Sequence, residues 1–332
     1  MISKPTASYN VGVVGCGNIA INHHLPILTH LEATSIAFVA DIDETAARRA
    51  ARTYDTTNHV VESAESLPSC DVVVLTPPVG VREEYILEFA ERETPIFSEK
   101  PFAIDLAEHD SYLAATEQIA TNFIRMEYGT THQVRQLVDT QLFGELERVT
   151  VSVGTAQTAV GLTDAQVDPA LRGGQLHELG SHLLSQLVAI LQPEMLAVDD
   201  ATVRFYEGID VDTNAGLTAV IDGGSIPVEF QYSQIRDLGQ RASYTFESAT
   251  VEYDPTTPGG QLSVANGDTL LTFELPETAP ENDRQAMFVR WLRFLNNIEA
   301  DTIDAPYMTG RPVTKAITEI YDSAGQWPGE TS

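Results

Sequence analysis

Residues 10–20 read Asn-Val-Gly-Val-Val-Gly-Cys-Gly-Asn-Ile-Ala: an apolar run, a glycine-rich turn and the opening of a helical pattern. The run Asn10–Gly15 predicts a buried strand, and Ile19–Leu31 predicts the helix that follows it. The turn itself, Gly15-Cys16-Gly17-Asn18-Ile19-Ala20, has the form G-x-G-x-x-A. Gly15 permits a tight turn, Gly17 lets a pyrophosphate approach the backbone, and Ala20 is small enough for the helix to pack on its strand. The helix start then offers free N–H groups and a partial positive charge to phosphates. Asp41 follows Ala20 by 21 residues, at the end of the second apolar run. That spacing suits a carboxylate bonded to the adenosine ribose hydroxyls, which favours NAD and leaves NADP open through Arg48 or Arg49.

Outward from this stretch, short apolar runs alternate with helical patterns. Strands are expected at Ser35–Ala40, Asp71–Leu75, Pro95–Ser98 and Thr121–Arg125. Helices are expected at Glu44–Tyr54, Arg82–Arg92 and Leu106–Ile119. Continuous apolar strands separated by helices indicate a doubly wound parallel sheet covered on both faces. From about Glu147 longer β-rich segments take over: Arg148–Ala156, Ala201–Glu207, Ala215–Ile221, Ile226–Tyr232, Ala242–Tyr253 and Leu270–Glu274. A helix near Gln175–Leu191 interrupts them. Turn signals such as Asp222-Gly223-Gly224 and Pro258-Gly259-Gly260 join these segments. The fold class is therefore α/β, with an N-terminal doubly wound domain and a C-terminal α+β domain built on one large, open, mostly antiparallel sheet. The expected boundaries are 1–122, 123–310 and a closing segment 311–332 whose helix packs back on the first domain. Helices near Arg284–Asn297 and Val313–Ser323 end the chain, with Trp291 expected to pack against the second domain.

At 332 residues the chain has length for about two domains and a substantial core. Hydrophobic residues make up 43% without any repeat, so collagen-like and disordered classes are excluded. No apolar run is long enough to span a membrane, and the first residues lack a hydrophobic signal core, so a cytoplasmic protein is expected. Against 48 acidic residues stand 19 basic ones, a net charge of −29. Such a surface repels nucleic acid and anionic membranes. Lysine is scarce: only Lys4, Lys100 and Lys315 occur beside 16 arginines. An acidic, lysine-poor surface suggests adaptation to concentrated salt, which shortens the reach of carboxylate repulsion. Cys16 and Cys70, the only cysteines, make neither a disulfide framework nor a zinc site and read as small buried hydrophobes.

Two further motifs sit where open α/β sheets bind ligands, at the carboxyl ends of strands. Thr76-Pro77-Pro78 follows one apolar run and Glu99-Lys100-Pro101 follows the next. Together with the glycine turn and Gly173-Gly174-Gln175-Leu176-His177-Glu178-Leu179-Gly180-Ser181-His182, they resemble the Gfo/Idh/MocA family of NAD(P)-dependent oxidoreductases. The resemblance implies a Rossmann domain holding the cofactor through Gly15, Gly17, Asn18, Ile19, Ala20, Asp41, Thr76, Pro77, Glu99 and Lys100. It also implies an open C-terminal sheet through which copies form a homo-oligomer, dimer or tetramer. Lys100 becomes the catalytic lysine, beside the nicotinamide and the reacting hydroxyl or carbonyl. Its retention in a chain that otherwise prefers arginine points to a need for a compact ammonium. Glu178 and His182, spaced i, i+4, share a helix face, and the carboxylate there would set the imidazole up as a general base.

The chain departs from the family pattern at three places. Glu178 stands where Asp is usual and Ser185 where Asp is frequent, and Val79-Gly80-Val81-Arg82-Glu83 lacks the common His. His177 and His182 are i, i+5 and cannot share a metal on one helix face, so no metal site is expected. Arg125 and Arg172 are candidate substrate contacts, together with His182, while His23 and His24 read as surface or junction residues. The implied reaction moves a hydride between nicotinamide and a secondary alcohol or carbonyl of a sugar, polyol, inositol or related compound, with Lys100 and His182 meeting in one cleft. Two alternatives remain open at this level. One is a cofactor-sensing regulator without turnover, and the other is an enzyme using tightly held NAD transiently in glycoside elimination or hydrolysis.

Overall fold

Val11, Val13 and Val14 in one strand and Val72–Leu75 in the next are all buried, which is why these runs read as unbroken apolar stretches. They belong to β1 (Tyr9–Val14) and β4 (Val72–Leu75) of a six-stranded sheet in a computed structural model that describes residues 4–156 and 174–329. The other strands are β2 (Thr34–Asp41), β3 (Thr57–Val60), β5 (Ile96–Ser98) and β6 (Ile119–Thr121). All pair in parallel, in the order β3-β2-β1-β4-β5-β6. The strand order reverses between β1 and β4, the switch point at which such sheets bind ligands. Helices Glu44–Tyr54, Glu83–Glu91 and Leu106–Ala115 connect the strands. Asp43 and Asp105 cap two of them through Thr45 N and Glu108 N.

Two details differ from the sequence expectation. The run Thr57–Val60 is a strand although it carries no apolar pattern, because it pairs on one side only, with β2, at the sheet edge. The sixth strand ends at Thr121 rather than starting there. A tight turn at Ile124–Glu127 and a helix at Gly129–Thr140 follow. That helix opens Gly-Thr-Thr and buries Thr130 and Thr131, so it lacks the apolar period that reveals a helix.

The chain separates into two compact units, residues 1–122 with 287–311 and residues 123–286 with 312–332. The expected assignment of residues 287–332 is thereby corrected. In helix Asp283–Ala300, Trp291 is fully buried with its ring 4.3 Å from Phe97 and 6.0 Å from His24, so it belongs with the parallel sheet and not with the second domain. The closing helix Arg311–Ala324, expected to pack back on the first domain, falls in the second unit from Pro312 onward. Its buried face of Val313, Ala316, Ile317, Ile320 and Tyr321 belongs to the second unit. There Tyr321 meets His177 and Phe205, and Lys315 donates to Leu196 O.

The second unit is built on eight strands: β7 (Leu146–Gly154), β8 (Met195–Tyr206), β9 (Ile209–Ile221), β10 (Gly224–Ser233), β11 (Gly239–Phe246), β12 (Thr250–Tyr253), β13 (Leu262–Asn266) and β14 (Thr269–Phe273). Their order is β14-β13-β12-β11-β7-β10-β9-β8, antiparallel except for β7 beside β10. Register puts Val149, Val228, Leu217 and Tyr244 in one buried row. The alternating residues Thr150, Glu229 and Ser243 face the other way. Helix Ser181–Leu191 is buried along its whole length. Among the described residues no helix is long and apolar enough to cross a membrane.

Candidate active site

The glycine turn leaves β1 with Gly15 at φ 91°, a conformation open to glycine, and a Cβ there would collide with Thr76 Oγ1. Gly15 N donates to Ala40 O at 2.8 Å, and Thr76 Oγ1 donates to Val14 O and Gly15 O. Gly15 and Thr76 thus lock the ends of β1 and β4 together at the switch point. Gly17 is different: a Cβ there would meet nothing within 4 Å. Open space above an exposed Gly17 is what a phosphate resting on backbone N–H groups requires, so the turn fits a dinucleotide. Ala20 is fully buried and opens a π turn, Ala20–His24, that runs into helix Leu25–His30.

Asp41 ends β2 and uses both carboxylate oxygens locally, accepting from Cys16 N at 2.6 Å and Asp43 N at 2.8 Å. It therefore braces the glycine turn. Cys16 is buried, and burial followed by the Asp41 charge pushes its thiol up to about 12, so it stays protonated. Cys70, also chiefly through burial, is pushed up to about 11.

The Glu99-Lys100-Pro101 turn follows β5, with a cis Lys100–Pro101 bond. Glu99 N donates to Leu75 O at 2.8 Å, which sets the turn beside the end of β4. The Glu99 side chain is buried. Its Oε1 accepts from Asn122 Nδ2 at 2.6 Å and bonds His24 Nε2 at 2.9 Å, while Oε2 accepts from Lys100 N at 3.1 Å. Burial alone would raise this carboxyl. The hydrogen bonds from His24 and Asn122, with the nearby Lys100 charge, prevail and hold it below the ordinary carboxylate value. His24 is wholly buried, not a surface residue: its Nδ1 accepts from Trp291 Nε1 at 3.1 Å. Indole N–H only donates, so His24 carries its proton on Nε2 and gives that hydrogen bond to Glu99. Arg82, in the stretch that lacks the family's common histidine, is buried and donates to Pro77 O at 2.6 Å and Pro101 O at 2.5 Å, and also to Glu99 O.

In the second unit, Glu178 lies in a π turn, Leu176–Gly180, that leads directly into helix Ser181–Leu191 carrying His182. Ser185 is buried and donates to His182 O at 2.7 Å, a backbone role in place of the frequent carboxylate. His177 turns to Tyr321, with ring centroids 5.4 Å apart, while His182 meets Phe123 edge-on at 6.5 Å. Among the described residues no three His, Cys, Asp or Glu side chains come together as a metal site. Asp210, from β9, caps this helix by accepting from Gln175 N at 2.7 Å and Leu176 N at 2.6 Å. A Cβ on Gly174 would come within 2.8 Å of Asp210 Oδ1, which explains that glycine of the motif. Burial is the main cause that pushes the Asp210 carboxyl up to about 6, against the opposing pull of the two N–H groups. Burial first, then the charges of Asp210 and Glu178, pushes Tyr232 up to about 12 even though Gln234 hydrogen-bonds it.

Arg125 is buried, donates to Pro255 O at 3.3 Å and lies 6.0 Å over the Tyr128 ring. Arg172 lies outside the described residues. The structure therefore groups Gly15, Gly17, Asp41, Thr76, Pro77, Glu99 and Lys100 at one edge of the parallel sheet. It groups Glu178 and His182 at the start of one helix in the second unit. Arg82 and Asp210 were given no role in the sequence, and His24 was read there as a surface or junction residue.

Comparison with known proteins agrees with this arrangement. Residues 9–123 match the oxidoreductase family with an NAD-binding Rossmann fold (GFO_IDH_MocA), and residues 131–247 match the GFO/IDH/MocA C-terminal domain. A dTDP-3,4-didehydro-2,6-dideoxy-alpha-D-glucose 3-reductase of Streptomyces violaceoruber is 24% identical over 271 residues, 79% of this chain and 78% of that protein. An inositol 2-dehydrogenase of Ralstonia nicotianae is 27% identical over 143 residues, 40% of this chain and 42% of that one. The fold is shared with KijD10, a 3-ketoreductase from Actinomadura kijaniata solved with NADP and TDP-benzene. The TM-score is 0.79 at 18% identity, over 94% of this chain and 96% of that one. With the glycine turn, the Glu99-Lys100-Pro101 turn and both matched domains in place, the chain belongs to the Gfo/Idh/MocA family of NAD(P)-dependent oxidoreductases.

Proposed function

We propose that this oxidoreductase interconverts a secondary alcohol and a carbonyl on a sugar, polyol, inositol or related compound. NAD is the expected cofactor, since Asp41 ends β2 as a carboxylate already seated on the glycine turn. The observation that carries the proposal is the placement of Lys100. It occupies the turn after β5 at the edge where Gly15, Thr76 and Asp41 also lie, its backbone tied to the buried Glu99 carboxylate. The bound nicotinamide would supply the hydride acceptor or donor. His182 takes the hydroxyl proton in the oxidative direction and returns it in the reductive one, with Glu178 supporting the imidazole. Lys100 donates a hydrogen bond to the developing alkoxide and stabilises its charge. The substrates after which the similar proteins are named, a deoxysugar nucleotide and inositol, support a polyhydroxylated ring as the substrate class. Cytoplasmic location and a homo-oligomer through the open sheet belong to the same proposal.

An absorbance screen for NADH production from sugars and polyols, run in molar KCl with the wild type and Lys100→Ala, tests it. Loss of the lysine should lower turnover by about 100-fold or more while NAD binding stays near wild type. Undiminished turnover in the variant would remove Lys100 from the chemistry.

A further inference from the structure

The two turns that meet at the switch point are poor in hydrogen-bond donors. Thr76-Pro77-Pro78 and Glu99-Lys100-Pro101 contain three prolines, none with an N–H, so their carbonyls need partners from elsewhere. Arg82 supplies them. Its guanidinium is only 3% exposed. Nε donates to Pro77 O at 2.6 Å, and Nη1 donates to Glu99 O and to Pro101 O at 2.5 Å. Ser98 Oγ and Lys100 O lie at 3.4 and 3.5 Å. The acceptors before and after Lys100 are thus both held by one side chain, which also grips the neighbouring turn. A planar fork of five donors can span such a set, whereas a lysine ammonium is a single point and cannot.

From this we infer that Arg82 is a positioning residue for Lys100: it fixes the Lys100 backbone relative to the Pro77 turn and so sets where the amine stands. The inference rests on the assignment of Lys100 to the reaction. Its weight comes from geometry, since a misplacement of about 1 Å at a reacting group costs on the order of 100-fold in rate. Its removal would take hydrogen bonds from three turn carbonyls at once, which loosens the turn as well as deleting a charge.

The three lysines make a test that needs no substrate. Trace acetylation with acetic anhydride, followed by peptide mass spectrometry, reports Lys100 with Lys4 and Lys315 as internal controls. In the wild type, NAD should slow acetylation of Lys100 and leave the other two unchanged. In Arg82→Met, Lys100 should label about threefold faster or more and lose its protection by NAD, while the NADH dissociation constant moves by less than about threefold. Arg82→Lys should fall between the two. A purely structural role would lower the melting temperature and leave Lys100 labelling as in the wild type, and that result overturns the inference. Absence of NAD protection in the wild type would instead count against the proposed role of Lys100 itself. Should Arg82→Met not fold, Arg82→Lys carries the same comparison. If neither variant folds, Arg82 is a stability residue and the inference fails.

Discussion

Gly15 and Gly17 are two residues apart, yet their surroundings differ: Gly15 is crowded and Gly17 open. A side chain at Gly15 meets Thr76 and a positive φ, so Gly15→Ala should cost about 2 kcal/mol or more in stability, read as a fall in melting temperature. Gly17→Ala should melt like the wild type but bind NADH about tenfold more weakly, because the methyl stands where the pyrophosphate must approach. Equal melting loss in both variants would contradict the division. At this scale the glycine turn and the turn after β5 were legible, because a tight turn demands glycine and each follows an apolar strand. His24 was not legible, because the π turn at Ala20–His24 inserts a residue and rotates it off the face that a regular helical period assigns. Arg82 was not legible either, since nothing local says that carbonyls of a turn 17 residues away will converge on it.

Among the elements, the helix that carries His182 has a cap drawn from a strand. Asp210 reaches Gln175 and Leu176 N–H from β9, and pairing with β8 skips a residue there, with Arg204 opposite Asp212 and Phe205 opposite Asp210. That irregularity breaks the alternation by which an inward strand position is read, so nothing in the sequence marked this carboxylate as buried. The parallel strands themselves were readable as apolar runs, while the edge strand β3 and helix Gly129–Thr140 lacked the pattern. Burial raises Asp210 from the ordinary 3.8 to about 6. The folded protein then holds this proton more tightly than the unfolded chain does. The associated stability is full below the ordinary value and is lost as pH rises through about 6. Relative to Asp210→Asn, the wild type should therefore lose about 2 kcal/mol of unfolding free energy between pH 4 and pH 7. Denaturant melts of both proteins across that range measure it, and a difference independent of pH would contradict the ionisation.

For the whole molecule the charge of −29 is the property that conditions dictate. Repulsion among 48 carboxylates acts over about 30 Å at 10 mM salt and about 3 Å at 1 M. The melting temperature should accordingly climb by several degrees or more between low and molar KCl, and a flat profile would count against salt adaptation. The domain boundaries were the least legible feature at this scale. Residues 287–311 and 312–332 are adjacent helices, but Trp291 finishes the packing around His24 whereas Tyr321 finishes that around His177. Neither unit is one unbroken stretch of chain. On the ribosome, the nascent parallel sheet must wait for more than 160 further residues before Trp291 emerges to cover His24. An excised 1–122 fragment would display that imidazole and the Phe97 ring uncovered, making it a sticky half-product rather than a portable nucleotide-binding module.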